Sequence, residues 1–423
     1  MKCGIYCCPL SILKGKASVA ASRPWRVCVG FVLLACVILP PPALAQSPGS
    51  RAEALAAEQE EKSRNLQPYK RNIFERRLLE IEEAGGFAVV RGPFVTFGDI
   101  KQSSGVALGP AYGKLFDNGS VLIAKGAYSI RNFKMVQLSA AAPPIARGRV
   151  TLGGRVRWQD APQLAAYALG QESPRTRADF SEARSELSAQ VEARPIKFLR
   201  LGAGAGYERY DTGGAQTNRS SVEDLFTPAE MPGIAADPEY VHTFVSAGID
   251  SRPGTGYSRS GTLLQASLHD YRQQNTGPYS FQRLDGTARQ LIPILHGNWV
   301  LDLSVRTSST TVDAGQEVPF FLLPDLGGSG ELRGYSAYRF RDRHSIIFTG
   351  EYRWYVQEFV DMALFYDAGK VTSRRGDLDF NRLKSNVGLG LRFHGPQTTL
   401  LRIEVARGDE GLRLIFGFSA PIR

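Results

Sequence analysis

From about Phe87 to the C-terminus, apolar and polar residues alternate along the chain with a period of two. The stretch from Ser345 to Val356 shows the pattern: one face is apolar and aromatic, while the other is polar apart from Ile347 and Tyr355. The apolar face consists of Ile346, Phe348, Gly350, Tyr352, Trp354 and Val356. Similar stretches lie at 149–158, 186–193, 298–306 and 398–406. Because successive side chains of a β-strand point to opposite faces, this pattern predicts strands with one apolar and one polar face.

Alternation of this kind also fits a soluble β-sandwich with one wet face. Two features favour a barrel that spans a membrane. The polar faces carry charges of both signs in strand after strand, as a water-filled lumen would, and the alternation runs for about 9–11 residues, the length of a tilted transmembrane strand. Aromatic residues near the strand ends fit interface girdles: Trp158, Tyr207, Trp299, Trp354 and Phe418. The sequence therefore predicts an all-β fold, a transmembrane antiparallel β-barrel.

The connections between these strands set the number of strands. Short turns are predicted at 143–147, 194–196, 252–258, 293–296, 357–360 and 395–397, and long loops at 160–178, 211–239, 272–279, 311–343 and 372–384. In outer-membrane barrels short turns face the periplasm and long loops the exterior. Continuing this alternation backwards, through turns near Asn132 and Asn118, requires one strand before 105–116. The one candidate is Phe87 to Gly98, which brings the total to about sixteen strands.

Residues 1–45 have the order of a secretory signal peptide: basic residues, an apolar run at 27–39 and a small-residue site at Ala43-Leu44-Ala45. About 13 apolar residues are too few for a comfortable membrane span. A lipoprotein signal is the alternative, since 33–36 resembles a lipobox, but the residues after Cys36 stay apolar. The long basic region also fits translation that starts further downstream.

Residues 46–86 differ in composition from both neighbouring regions. The stretch 51–64 is rich in Ala and Glu, and 72–84 places apolar residues among charges before the Gly85-Gly86 pair. This pattern predicts one or two short helices in the periplasm. A solvated tail and a helix that partly plugs the barrel are both open interpretations. Residues 87–423 are then the barrel.

Composition limits the chemistry that the exported chain can perform. All five cysteines lie between residues 3 and 36, so the mature protein would have neither a disulfide nor a thiolate metal ligand. Removing the five basic residues of the signal peptide lowers the Lys and Arg count from 51 to 46, against 41 acidic residues. The remaining charge of about +5 is too small to indicate a nucleic-acid partner.

The chain carries no motif that predicts an enzyme. Its five histidines are scattered without metal-like spacing, and a polar lining of the lumen accounts for them. The stretch 202–206 lacks the spacing of a dinucleotide loop, and its glycines are interpreted as easing a curved strand. No G-x-S-x-G sequence occurs. We therefore expect no catalytic residue, no metal and no cofactor.

One constellation near the C-terminus has a physical interpretation. Arg333 lies in the long loop 311–343, within the tetrapeptide Leu332-Arg333-Gly334-Tyr335, and alternation places Glu351 and Asp367 on the lumen faces of the next two strands. A buried guanidinium needs charge-assisted hydrogen bonds to offset its desolvation, and two carboxylates supply them. We therefore expect the loop to fold into the lumen, with Gly334 allowing a tight turn. The alternative is a porin constriction loop with an incidental arginine.

At these residues the chain resembles the BamA/TamA superfamily of outer-membrane assembly and translocation barrels. That family carries a V/I/L-R-G-F/Y tetrapeptide at the tip of an inward loop, and its arginine pairs with a Glu and an Asp on the two following strands. Leu332 to Tyr335, Glu351 and Asp367 match these elements in order. The resemblance implies a sixteen-stranded barrel whose first and last strands pair weakly and form a lateral gate.

Two departures limit what the resemblance implies. Family members usually carry POTRA domains, and 46–86 is too short for even one. The last strand also continues to Arg423 instead of ending in an aromatic residue, which leaves Phe416 and Phe418 as the candidate assembly signal. A separate periplasmic protein that docks on helix 72–84 is one way to replace the missing domain.

The expected function is that of a POTRA-less barrel that assists insertion or translocation of protein or lipid at the bacterial outer membrane. Its expected partners are outer-membrane lipid and unfolded outer-membrane or secreted polypeptides. The alternative is a passive channel or a structural surface-antigen barrel that keeps the fold without insertase activity.

Overall fold

The computed structural model describes residues 60–61, 91–254, 256–295, 297–395 and 398–418, and residues 60–61 are helical. The predicted signal peptide, nearly all of the predicted helical segment and the start of the predicted first strand lie outside these ranges. No helix in the described residues is long and apolar enough to cross a membrane.

In the part of the chain that the structure describes, sixteen antiparallel strands form one continuous sheet in chain order, and this confirms the predicted fold class and number of strands. The strands are β1 (Gly92–Gly98), β2 (Ala107–Leu115), β3 (Val121–Ser129), β4 (Lys134–Ala141), β5 (Val150–Ala166), β6 (Ala178–Ala193), β7 (Leu199–Gly214), β8 (Glu239–Asp250), β9 (Gly261–Gln273), β10 (Phe281–Ile294), β11 (Trp299–Thr311), β14 (His344–Gln357), β15 (Val360–Thr372), β16 (Lys384–His394), β17 (Thr399–Gly408) and β18 (Gly411–Gly417). Two short strands, β12 (Asp325–Leu326) and β13 (Phe340–Arg341), pair with each other inside the connection between β11 and β14.

The connections lie at two ends of the barrel, which we name by their lengths. The turn end carries 116–120, 142–149, 194–198, 251–260, 295–298, 358–359 and 395–398. The loop end carries 99–106, 130–133, 167–177, 215–238, 274–280, 312–343, 373–383 and 409–410. A one-turn helix, α1 (Val222–Leu225), lies in the loop between β7 and β8. The longest connections, 167–177, 215–238, 312–343 and 373–383, lie at the loop end as predicted, but the turn-end connection 251–260 is longer than the loop-end connection 274–280.

The predicted boundary that differs most from the structure is the start of one long loop. The loop expected at 160–178 begins only at residue 167, because β5 continues to Ala166. Ala161, Leu164 and Ala165 are all buried, so this part of the strand is covered on both faces and has lost its period-two pattern. A strand buried on both faces reads as a continuous apolar run, which sequence alternation does not detect.

The two faces of the wall differ as the alternation predicts. On β11, Leu303 is exposed on the outer face while Asp302 and Ser304 are buried on the lumen face. Ile347, an exception in the sequence pattern, lies on the lumen face of β14 and is buried in an apolar cluster with Leu326 and four further side chains of that region, of which Phe340 is one. An apolar side chain on the lumen face therefore marks where a loop packs against the wall.

Apolar side chains from several loops and strand ends pack together at the loop end. The cluster includes Phe133, Leu164, Tyr167, Phe180, Tyr210, Met231, Tyr240, Tyr271, Phe281, Val318, Phe320, Phe321 and Tyr338. Phe180 packs edge-on against Phe320 at 4.9 Å between ring centroids, and Tyr240 against Tyr271 at 5.7 Å. Such pairs add to the stabilisation from buried area. The loops thus form an apolar layer over part of the lumen.

Gly202 and Gly204 on β7 lie close to side chains of β8. A Cβ atom on Gly204 would lie 2.4 Å from Cε1 of Phe244 on β8, and one on Gly202 would lie 2.5 Å from Oγ of Ser246. These distances are shorter than real Cβ contacts. The glycines therefore give room on β7 for the side chains of β8, which sequence spacing alone does not show.

Candidate functional site

The loop end sends one segment into the lumen. We call residues 327–339, between β12 and β13, the inward loop. Leu326 pairs with Phe340 at its base, and both side chains are 1% exposed. At its tip the amide of Tyr335 donates a hydrogen bond of 3.0 Å to the carbonyl of Leu332, which closes a turn around Arg333 and Gly334. The structure thus places the tetrapeptide inside the barrel.

Arg333 is held by carboxylates of three strands. Its Nε and Nη2 donate to the two oxygens of Asp367 at 2.9 and 2.8 Å. Its Nη1 donates to Glu351 at 3.2 Å and to Glu404 at 3.0 Å. The side chain is 1% exposed. A bidentate, charge-assisted arrangement of this kind offsets the cost of burying the guanidinium. The structure brings together the three residues that the sequence singled out.

Sequence reasoning missed the rest of this cluster. Arg392 of β16 donates to Glu351 and, at 3.2 Å, to Glu404, while Nη1 of Arg402 on β17 donates to Glu404 at 2.6 Å. The side-chain amide of Asn386 also donates a hydrogen bond of 2.9 Å to Asp367. The cluster thus balances three guanidinium groups against three carboxylates. Alternation had placed Arg402 and Glu404 on a polar face, but the register of four strands was needed to show that they meet Arg333.

An aromatic ring connects Arg333 with the last strand. The guanidinium carbon lies 3.4 Å from the ring centroid of Phe365 on β15, a cation–π contact in a desolvated place. Phe365 also packs in one apolar cluster with Ala406 and with Ile415 of β18. The arginine of the inward loop therefore rests on a layer that reaches the edge of the sheet.

Gly334 is constrained by the wall more than by its own backbone angles. Its φ is outside the left-handed region, so the predicted tight turn does not itself demand glycine. A Cβ atom there would lie 2.5 Å from Cβ of Asn386 and 2.9 Å from the amide nitrogen of Gly408. Glycine is needed because the loop backbone touches β16 and β17 directly.

Tyr335 fixes the tip of the inward loop to the loop end of the last hairpin. Its hydroxyl donates to the carbonyl of Ser385 at 3.2 Å and to Oδ2 of Asp409 at 3.1 Å. Burial raises the pKa of this hydroxyl to about 12, so it stays a donor at any physiological pH.

For Arg333, burial alone would lower the pKa, but the charges of Asp367 and Glu404 outweigh it and raise the pKa above its usual value.

The sheet is not joined at its two edges in the described residues. The strand order begins at β1 and ends at β18, with no hydrogen-bonded register between them. The rings of Phe97 and Phe418 meet edge-on across this seam at 4.6 Å between centroids. A cavity of about 330 Å³ lies beside them, lined by the connection 99–106 and by β18 from Arg413 to Phe416. We call this junction the seam.

The inward loop contacts both sides of the seam. On one side, Nε2 of Gln102 donates to the carbonyl of Gly327 at 2.6 Å. On the other, Arg402 donates to the carbonyl of Ser329 at 3.1 Å, and Arg413 of β18 donates to Ser336 at 2.9 Å. A displacement of the inward loop would therefore remove polar contacts from both edges of the sheet.

The structure also shows where the two residues of the candidate assembly signal lie. Phe416 is exposed on the outer face of β18, and Phe418 contacts Phe97, so both candidate signal residues lie at the seam.

The histidines are not all scattered: His242 Nε2 lies 3.0 Å from His269 Nδ1, across two adjacent strands. In the described residues no group of three or more potential ligands could hold a metal.

Comparison with known proteins identifies the family. The model of the Omp85 superfamily domain matches residues 117–419. The chain belongs to the Omp85 superfamily. Omp85 barrels lie in the bacterial outer membrane and act in insertion or transport rather than as typical enzymes. The resemblance that the tetrapeptide indicated is thus confirmed.

Solved structures support the same fold. BamA from Haemophilus ducreyi lacking POTRA domains 1–3 is similar with a TM-score of 0.59 and 16% identity, over 78% of this chain and 70% of that one. CdiB from Escherichia coli has a TM-score of 0.54 and 10% identity, over 78% and 62% of the two chains. The comparison with curated proteins found no match. At these identities the likeness to the two solved structures establishes the fold alone.

Proposed function

We propose that this protein assists the insertion or translocation of polypeptides at the outer membrane by opening its seam. The observation that carries the proposal is the unpaired junction between β1 and β18, which is connected on both sides to the inward loop. Two free strand edges at the level of the bilayer can accept a further strand by backbone hydrogen bonding.

The inward loop would regulate this junction. Gln102 belongs to the connection that follows β1, and Arg413 belongs to β18, so the loop bridges the seam on its lumen side. The cluster around Arg333 holds the loop in this position. Insertion or translocation at the seam needs neither a cofactor nor a covalent intermediate, because the barrier to this process is the exposure of polypeptide backbone groups to lipid.

The proposed orientation follows from the lengths of the connections. We place the turn end in the periplasm, with the N-terminal segment, and the loop end outside the cell. Unfolded outer-membrane or secreted polypeptides would then arrive at the turn end, and outer-membrane lipid would surround the seam. A periplasmic partner that delivers them remains part of this proposal.

A passive channel or structural surface barrel is the second candidate. The absence of any hydrogen-bonded register between β1 and β18 in the described strands favours the first function, because a passive pore gains nothing from an unpaired junction. The apolar layer at the loop end and the ion-pair cluster in the lumen also leave less room for a wide, water-filled path.

The test locks the seam. Phe97→Cys and Phe418→Cys are combined in a chain whose five native cysteines are changed to Ser, and a short bifunctional thiol reagent joins them. The rate at which a second, unfolded barrel protein inserts into the same vesicles is measured. We expect the unlocked protein to accelerate insertion and the locked protein to lose that acceleration, because the strand edges can no longer separate.

The matched control crosslinks two strands that are already paired. Leu108 on β2 and Tyr128 on β3 are register partners with exposed side chains, so the pair Leu108→Cys and Tyr128→Cys takes the same reagent away from the seam. This control should keep full activity. Acceleration that survives the seam lock would refute the seam mechanism, and no acceleration by any form would leave the channel or structural barrel.

A further inference from the structure

One turn-end connection crosses the end of the barrel instead of staying beside the two strands that it joins. The connection 251–260 between β8 and β9 contains the short turn predicted at 252–258, and we call its residues 256–260 the strap. The backbone of Gly256 forms a parallel bridge with Thr398, and Thr399 Oγ1 donates to the carbonyl of Gly256 at 3.2 Å. In the sheet, β9 and β17 are six positions apart. A connection that reaches so far must run across the mouth of the barrel.

The strap is fastened to a buried carboxylate. Asp361 on β15 is 1% exposed, and it accepts a hydrogen bond of 2.5 Å from the hydroxyl of Tyr257. Arg259 donates to both oxygens of Asp361 at 3.2 Å. Two of the groups that neutralise or satisfy this buried acid therefore come from the strap. A buried acid deprived of such partners is strongly unfavourable, so the closed position of the strap is favoured.

Stacking adds a second contact at the same place. The ring of Tyr257 lies parallel to the ring of His394 on β16, with centroids 3.7 Å apart and an interplanar angle of 11°. His394 and Asp361 are both buried on the lumen side. The strap therefore lies within the lumen at the turn end and not beneath it.

A short series of polar contacts joins the strap to the inward loop. Arg353 of β14 donates through Nη2 to the carbonyl of Ser258 at 3.0 Å. The Nε of the same guanidinium lies 3.6 Å from Glu351, and Glu351 accepts from Arg333 at 3.2 Å. Glu351 thus stands between a group held by the strap and the arginine of the inward loop. Movement of the strap would change the surroundings of Arg353 and, through it, of Glu351.

We propose that the strap is an autoinhibitory plug that closes the turn end of the lumen and helps to retain the inward loop. When Tyr257 and Arg259 leave Asp361, the lumen opens towards the turn end and Arg353 loses its contact with Ser258. The strap thereby controls access to the lumen from the side on which we place the periplasm. The inference concerns access to the lumen and holds whether or not the seam inserts proteins.

The test measures access to the lumen with the strap locked and free. Gly256→Cys and Thr398→Cys form a disulfide that fixes the strap, and Thr349→Cys supplies a reporter thiol, all in the chain whose native cysteines are changed to Ser. Thr349 lies on the lumen face of β14, two residues beyond Glu351. The folded protein in detergent is treated with a water-soluble maleimide. We expect labelling of the reporter at least tenfold slower in the locked protein than after reduction of the disulfide.

Two further variants make the result decisive. Tyr257→Phe removes the hydroxyl that binds Asp361 while keeping the ring, and it should speed labelling of the reduced protein. A disulfide between Ile294→Cys and Trp299→Cys, register partners across the neighbouring β10–β11 turn, should leave labelling unchanged. Equal labelling of locked and reduced proteins, or no faster labelling in reduced Tyr257→Phe than in the reduced protein that keeps Tyr257, would overturn the proposal. The insertion assay is not used, so failure here is distinct from failure of the seam mechanism.

Discussion

Replacing Arg333 with alanine lowers the stability of the folded barrel by roughly 3–5 kcal/mol, the cost of breaking a buried ion pair by removing one partner. The reason is that Asp367 loses both hydrogen bonds of a bidentate pair, while Glu351 and Glu404 each lose one. Arg392 and Arg402 remain near the two glutamates, so the largest residual penalty falls on Asp367. The contact with Phe365 is lost as well.

The measurement is the temperature at which the folded protein loses its resistance to SDS, compared with the parent. Arg333→Lys keeps the charge but not the planar fork, so it should fall between the parent and the alanine variant. Arg155→Ala is the control: its side chain is 44% exposed and pairs with Glu186, so its removal should cost no more than about 1 kcal/mol. Equal stability of Arg333→Ala and the parent would show that the cluster does not hold the loop.

Replacing Gly334 with alanine displaces the inward loop from the wall. The new methyl group would lie 2.5 Å from Cβ of Asn386 and 2.9 Å from a backbone nitrogen of β17, and neither atom belongs to the mobile end of a side chain. Overpacking of this kind costs typically about 1–3 kcal/mol. Because Arg333 is the preceding residue, the displacement also weakens its hydrogen bonds to Asp367.

Limited proteolysis at the loop end and loss of SDS resistance should both reveal this change. Gly376→Ala is the matched control, since a Cβ atom there meets nothing within 4 Å and its φ lies outside the left-handed region. We expect the Gly334 variant to be cut within the inward loop and the Gly376 variant to behave as the parent. A Gly334 variant that resists the protease as the parent does would mean that the loop can shift without leaving the lumen.

Only some residues of the candidate site could be predicted from the local sequence pattern. Arg333, Glu351 and Asp367 were predicted because two of them lie on strands whose alternation is clear and the third lies in a recognisable tetrapeptide. Glu404 and Arg392 were not predicted as part of the site, although each lies on a polar face. Which polar residues meet across a barrel depends on the register of four strands and on the depth to which a loop enters, and neither has a local signature.

The sequence by itself determined the class of fold, the number of strands and the positions of the longest connections, since period-two patterning and turn spacing are local properties of the chain. The tertiary structure alone decided the rest. Ile347 is apolar on a polar face because a loop packs there, and Gly204 is small because Phe244 needs its space. The connection 251–260 reads as an ordinary turn in the sequence. Its role as a strap emerges from contacts with Asp361 and Thr398, residues more than one hundred positions away that only the closing of the sheet brings near.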